Sequence, residues 1–241
     1  MRALVVYYSK TANTKKIAEA MAQSLQTEAL PLNLPKKGRR SKEERTKERA
    51  LWDKAMREAQ DAEIVLVGTP TEFRRPHRLV VEFMKEAAPR RAAAFCTCYG
   101  MKGATLIDME ALLRQNGAQF MGGLAVCAGT DKYRFRQDVK DYVDQVTEAH
   151  LSRAREFARQ VLSRREPVKA GLRGVCGRDC RQCLKYKHHQ CEGAGFRCWS
   201  GRNCPVFECC VIKRSLTGCE KCPSLGSCGK RNQLLLAKAS Q

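Results

Sequence analysis

Residues 2–25 constrain the fold more than any other stretch of this chain. Arg2 to Tyr8 (R-A-L-V-V-Y-Y) is a short apolar run rich in β-branched and aromatic residues, with no polar alternation. That is the pattern of a strand buried on both faces, as in a parallel sheet. A hydroxyl-rich loop follows, Ser9-Lys10-Thr11-Ala12-Asn13-Thr14, and then Ile17, Ala18, Ala20, Met21 and Leu25 recur at helical spacing. A strand that passes through so short a loop into a helix delivers unpaired backbone N–H groups and the positive end of the helix dipole to the loop. Ser9, Thr11 and Thr14 add hydroxyl donors, and a phosphate monoester fits that geometry. A capped helix in another α/β protein would use the same residues.

The pattern repeats along the first two-thirds of the chain. Strands are predicted at Ala29–Asn33, Asp61–Gly68, Ala92–Cys98 and Gln119–Val126, and helices at His77–Ala87, Thr105–Gln115 and Phe135–Arg164. Five strands alternating with helices predict an α/β fold with a doubly wound, five-stranded parallel sheet. Lys36 to Gln60 is the most charged segment and mixes signs, with Glu43 four residues before Lys47, so it reads as a solvated helix carrying ion pairs. Its purely basic start, Lys36 to Lys42, is a surface loop or a face for an acidic partner.

Strand, S-K-T-A-N-T and K-K-I-A-E-A-M-A together resemble the flavodoxin signature, in which a T/S-x-T-G-x-T loop wraps the phosphate of FMN. The resemblance covers residues 1 to about 166 and implies the strand order 2-1-3-4-5, with the ligand at the carboxyl ends of the strands. It assigns Ser9, Lys10, Thr11, Ala12, Asn13 and Thr14 to the phosphate. Ala12 stands where flavodoxins usually carry Gly; if that position needs positive φ, Ala12→Gly should tighten binding. Gly68-Thr69-Pro70-Thr71-Glu72-Phe73 resembles the family's G-[ST]-P-x-[YWF] flavin loop, which implies contacts from Thr69, Pro70, Thr71, Glu72 and Phe73, with Phe73 covering an isoalloxazine face. Thr97-Cys98-Tyr99-Gly100 falls where the family's other flavin loop offers backbone N–H groups to the pyrimidine edge. The alternative for Phe73 and Tyr99 is that they are ordinary loop aromatics packed against the neighbouring helix. Cys96, Cys98 and Cys127 are read as small core residues rather than redox partners.

Eleven of the fourteen cysteines lie between Cys176 and Cys228, beyond a composition change at Ser163-Arg164-Arg165-Glu166-Pro167 that marks a domain boundary near residue 166. A segment this poor in apolar residues needs cross-links to fold. The N-terminal apolar run is too short for a signal peptide, which predicts a cytoplasmic chain with reduced or metal-bound thiols and no membrane span. Repeated C-x2-C and C-x3-C spacings bring thiolates from one loop to a metal, so residues 167–241 are predicted to be a metal domain. The tail resembles an uncharacterised cysteine-rich domain of bacteria and archaea, which implies Cys176, Cys180, Cys183, Cys191, Cys204, Cys209, Cys219, Cys222 and Cys228 as ligands. Zinc and [4Fe–4S] clusters both accept four thiolates; beside a flavin, a cluster can relay single electrons and zinc cannot. Cys176-x3-Cys180-x2-Cys183 matches the radical S-adenosylmethionine triad, but the 58 residues after Cys183 are far too few for the barrel such an enzyme needs.

The formal charge is +20, and residues 167–241 hold fourteen Lys and Arg against four Asp and Glu. Bound FMN and thiolate sites would reduce this without reversing it. The field suits an acidic redox partner protein or RNA. The sequence therefore predicts an electron-transfer iron–sulfur flavoprotein. Its rivals are a zinc-stabilised RNA- or protein-binding module with a degenerate flavin site, and an FMN-dependent reductase with structural zinc.

Overall fold

The structure is a computed structural model that describes residues 2–32, 42–99, 103–127, 146–168 and 222–229. The chain divides after Val168 into two units, Met1–Val168 and Lys169–Gln241. In the first unit, strands β1 (Ala3–Tyr7), β2 (Ala29–Pro31), β3 (Ile64–Glu72), β5 (Arg91–Cys98) and β6 (Gln119–Cys127) form a parallel sheet in the order β2-β1-β3-β5-β6. A two-residue strand, β4 (Arg75–Pro76), runs antiparallel to the end of β3 and makes the sheet six-stranded. The five-stranded expectation lacked this hairpin.

Helices α1 (Asn13–Ser24) and α5 (Glu148–Ser163) pack together on one face; α2 (Lys42–Asp61), α3 (Arg78–Ala87) and α4 (Thr105–Gln115) lie together on the other. Helical patterning thus places α3 and α4 within a residue of their predicted limits, and α1 spans the predicted apolar positions up to Met21. For the last helix, residues 135–145 lie outside the described residues, and the helix seen is Glu148–Ser163. The charged stretch is a helix as expected, yet it is not merely solvated. Trp52, Ala55 and Ala59 are buried, and Trp52 meets Phe83 of α3 edge-on at 6.0 Å. Its charged side carries Arg49–Asp53 at 3.1 Å and reaches Glu28 through Lys54 at 2.7 Å.

The strands read as continuous apolar runs because both faces are covered. Val5, Val6, Ile64, Leu66, Ala93 and Phe95 are wholly buried. Alanine-rich β5 lets large side chains from the helices approach the sheet, and Phe95 fills the space over Gly68. A Cβ on Gly68 would lie 2.1 Å from the Phe95 ring, so no larger residue fits there. At β6 the ladder shifts register between Ala92 and Ala93, where Gly122 takes φ +137° and the Arg164 guanidinium donates to the Met121 carbonyl. The segment after α5 then returns to the same edge: Val168 N–H donates to Phe120 O at 2.8 Å.

Candidate functional site

Three loops leave the carboxyl ends of β1, β3 and β5, and the structure brings them together. The first, Tyr8 to Ala12, joins β1 to α1. Ala12 is the N-cap of α1 in the left-handed region, at φ 64° and ψ −11°, and no side chain caps the helix. Positive φ costs a non-glycine residue on the order of 1 kcal/mol, and it aims the first turn of α1 back into the loop. Ser9 Oγ is buried there with no hydrogen-bond partner. A buried hydroxyl without a partner costs about 1–3 kcal/mol. An uncapped helix start, an orphan hydroxyl and a strained cap thus fall within one short loop. The nearby Thr11 Oγ1 accepts a bond from Asn13 Nδ2 at 3.4 Å.

The second loop differs from its prediction. Gly68-Thr69-Pro70-Thr71-Glu72 does not leave the sheet after Gly68; it continues as strand, pairing with β5 as far as Pro70 opposite Thr97. Proline is tolerated so near the end of a strand, where few ladder bonds remain to be made. Glu72 and Arg75 then pair across a two-residue turn made by Phe73 (φ 47°) and Arg74 (φ 66°). Two positive φ values are the mark of a type I′ turn, normally built from Asn and Gly. Phe73 is 100% exposed at its tip, so its ring covers nothing in the protein. Phe73 is therefore not packed against a neighbouring helix.

His77, which the sequence reading passed over, closes the second loop. Its backbone N–H donates to Thr69 Oγ1 at 2.9 Å, and its ring caps α3 by accepting Leu79 N–H on Nδ1 at 3.2 Å. Its ring stacks on Tyr8 with centroids 3.8 Å apart and planes 13° from parallel. Nε2 faces Glu72 at 3.8 Å, and Lys10 lies 3.9 Å from the same carboxylate. Burial holds the His77 pKa below its ordinary value, against the pull of Glu72. The ring is therefore neutral near pH 7, with Nδ1 as acceptor and its proton on Nε2. Burial raises the Tyr8 hydroxyl, with Glu72 adding to the shift.

The third loop is tied to both others. Thr97 Oγ1 lies 2.7 Å from Thr14 Oγ1, a buried pair linking β5 to the first turn of α1. Ala104 N–H donates to Arg74 O at 2.9 Å, and Thr105 Oγ1 meets Thr71 Oγ1 at 3.1 Å. Gly103, at φ 54°, sits so close to Arg74 that a Cβ would fall 2.2 Å from the Arg74 Cβ. Cys98 is not a plain core thiol, as the sequence suggested, but is bonded in a disulfide. Cys96 remains a buried thiol outside any disulfide. Of the predicted residues in this loop, Gly100 lies outside the described residues.

Of the nine predicted metal ligands, Cys176, Cys180, Cys183, Cys191, Cys204, Cys209 and Cys219 lie outside the described residues. Cys222 and Cys228 are partly exposed thiols outside any disulfide, joined by a turn in which Leu225 N–H donates to Cys222 O at 3.0 Å. Among the described residues, no three His, Cys, Asp or Glu side chains gather to hold a metal. Nor is any described helix long and apolar enough to cross a membrane.

No family model and no curated protein matches the chain. Solved structures that resemble it include a flavodoxin from the Archaea, 20% identical over 67% of this chain and 96% of that one, with a TM-score of 0.45. A flavodoxin, WrbA-like protein from Agrobacterium tumefaciens is 19% identical over 66% and 93%, with a TM-score of 0.43. The rubredoxin oxygen:oxidoreductase of Desulfovibrio gigas is 17% identical over 66% of this chain and 34% of its own, with a TM-score of 0.47. At that level the likeness carries no argument about chemistry. The doubly wound architecture rests on the strand order and register described above.

Proposed function

We propose that this chain is an FMN-binding redox protein whose first unit holds the cofactor phosphate at Ser9–Thr14. The observation that carries this reading is the cradle itself. Ala12 is held at positive φ, α1 begins without a side-chain cap, and Ser9 Oγ is buried with no partner. A phosphate dianion would accept from Ser9, Thr11 and the first N–H groups of α1, and would be stabilised by the helix dipole. Thr69 to Phe73 and Thr97 to Tyr99 rim the same edge, where an isoalloxazine ring would lie, with the Tyr8–His77 stack beside it. When bound, FMN supplies one- and two-electron chemistry; the chain's part is to hold it, exclude water and place the neutral His77 imidazole and Glu72 at its rim.

For the second unit we propose cysteine-ligated metal, with Cys222 and Cys228 among the ligands, and [4Fe–4S] clusters rather than zinc. Two thiols outside disulfides across a tight turn suit either metal. Such a chain would exchange electrons with an acidic partner drawn by its positive field. A second reading, an FMN-dependent reductase, gains from the Glu72–His77 pair, because a titratable pair at a flavin rim can move a proton as well as position a substrate.

FMN titration of the wild type and of Thr11→Ala tests the cradle. A charge-assisted bond to phosphate is worth roughly 1.5–3 kcal/mol, so the variant should bind tenfold or more weakly. Thr14→Ala should do the same and also loosen β5, since it removes the Thr97 pair. Unchanged affinity in both variants would sink the assignment. For the tail, anaerobic protein should contain iron and acid-labile sulfide; stoichiometric zinc without iron would remove the relay.

A further inference from the structure

Glu72 stands between two donors. Its Oε1 lies 3.9 Å from Lys10 Nζ in the first loop, and its Oε2 lies 3.8 Å from His77 Nε2 at the start of α3. Both separations exceed the roughly 2.7–3.2 Å of an N–H···O hydrogen bond, so the carboxylate is bonded firmly to neither. The His77 ring is fixed from two sides, by its stack on Tyr8 and by the Leu79 N–H on Nδ1. That second contact leaves the ring proton on Nε2, facing Glu72. We propose that Glu72 is a positioning residue which gives up Lys10 to the FMN phosphate and closes onto the His77 Nε2–H, so that filling the cradle clamps the base of the Phe73–Arg74 turn. This rests on the reading that Ser9–Thr14 holds the phosphate.

The placement of the three residues carries the argument. Lys10 belongs to the phosphate loop, whereas Glu72 and His77 flank the turn, so one carboxylate reaches both ends of the site. The Lys10 and Glu72 side chains are 55% and 30% exposed. An exposed pair of that kind shifts an equilibrium by no more than about fivefold, and a phosphate dianion is the stronger acceptor for the ammonium. A carboxylate left unshared beside an arriving dianion would repel it. His77 removes that conflict by offering Glu72 a donor further from the cradle loop. The imidazole stays neutral as it does so, because its Nδ1 lone pair caps α3 and burial disfavours the charged ring. The phosphate end of the cofactor thereby orders the loop proposed to hold its ring end, and a flavin without phosphate cannot trigger the exchange.

Riboflavin and inorganic phosphate supply the two ends of FMN as separate molecules, and the test uses both on the full chain freed of flavin. Riboflavin is titrated with and without phosphate at constant ionic strength. In the wild type, phosphate should tighten riboflavin about two- to fivefold, and phosphate alone should move the His77 Nε2–H proton resonance downfield. Glu72→Gln keeps the size of the side chain but has no charge to hold Lys10, and should lose both effects. Lys10→Met should lose the coupling and bind inorganic phosphate more weakly. Riboflavin affinity that ignores phosphate although phosphate binds, or coupling that persists in Glu72→Gln, would overturn the exchange and leave the cradle standing. Should a variant fail to fold, the wild-type coupling and resonance still decide. A wild type that binds neither FMN nor inorganic phosphate overturns the cradle itself, and the exchange with it.

Discussion

The two ends of the parallel sheet are built by opposite rules. At the amino end, charges find partners: Arg2 reaches Glu58 at 2.9 Å and Asp61 at 3.6 Å, its N–H donates to Glu63 at 3.1 Å, and its carbonyl accepts Glu63 N–H at 2.9 Å. At the carboxyl end, Ala12, Phe73 and Arg74 sit at positive φ, Ser9 Oγ has no partner and Phe73 is bare to solvent. Gln26 and Ala88 also take positive φ at the amino end, but there they end helices that turn back into strands; at the carboxyl end the same strain coincides with an orphan hydroxyl, and strain of that kind clusters at sites that bind something. The amino end is knit together by its own charges, and the carboxyl end is the one proposed to take a ligand.

The contrast makes different demands on variants at the two ends. The largest change in stability is expected at high pH. Burial pushes Tyr7, at the carboxyl end of β1, up to about 12, with Glu19 adding to the shift. Its raised folded pKa means its contribution is complete below pH 10 and is lost as pH rises from 10 through about 12. A Tyr7→Phe variant should keep more of its stability across that window in denaturant titrations. Next comes the hairpin: Phe73→Asn with Arg74→Gly supplies residues suited to a type I′ turn, and should raise the midpoint of unfolding by the equivalent of about 2 kcal/mol. If the rim aromatic touches the cofactor, the same variant binds FMN less tightly, and a stabler protein with unchanged affinity would separate the strain from the site.

On the acid side, burial lowers both His77 and His150, with Arg153 adding to the shift at His150. A depressed folded pKa places their contribution above the ordinary value near 6.5 and removes it as pH falls below that value. Stability should therefore decline on acidification from pH 7 to 5, less steeply in His77→Gln. Ala12→Gly relieves positive φ but adds backbone freedom to the unfolded chain, for a net gain of about 0.5 kcal/mol. It should also tighten FMN. The smallest effect is at the other end: Arg2→Ala removes exposed ion pairs, should cost under about 1 kcal/mol, and should leave FMN affinity unchanged. A loss of affinity there would mean that the two ends are not independent.

Periodicity and composition made the five parallel strands and the shared edge legible, because burial on both faces writes itself into runs such as Leu4-Val5-Val6 and Ile64-Val65-Leu66-Val67. The β4 hairpin was not legible. Phe-Arg is not a type I′ pair, and a strand containing Gly68 and Pro70 looks like the start of a loop. His77 was missed because one histidine after a proline carries no period, and its stacking on Tyr8 joins residues 69 positions apart.

Arg164 and Val168 bear on how this protein behaves in a crowded solution. A parallel sheet ends in strands whose outer backbone groups invite another chain to add on. Here one border, β2, is only three residues long, and along the other the returning segment fills part of the outer row through the Val168–Phe120 bond and the Arg164 guanidinium on Met121. Both borders are blunted by the chain itself, and shortening the protein to end before Arg164 would turn the β6 border into a template for aggregation.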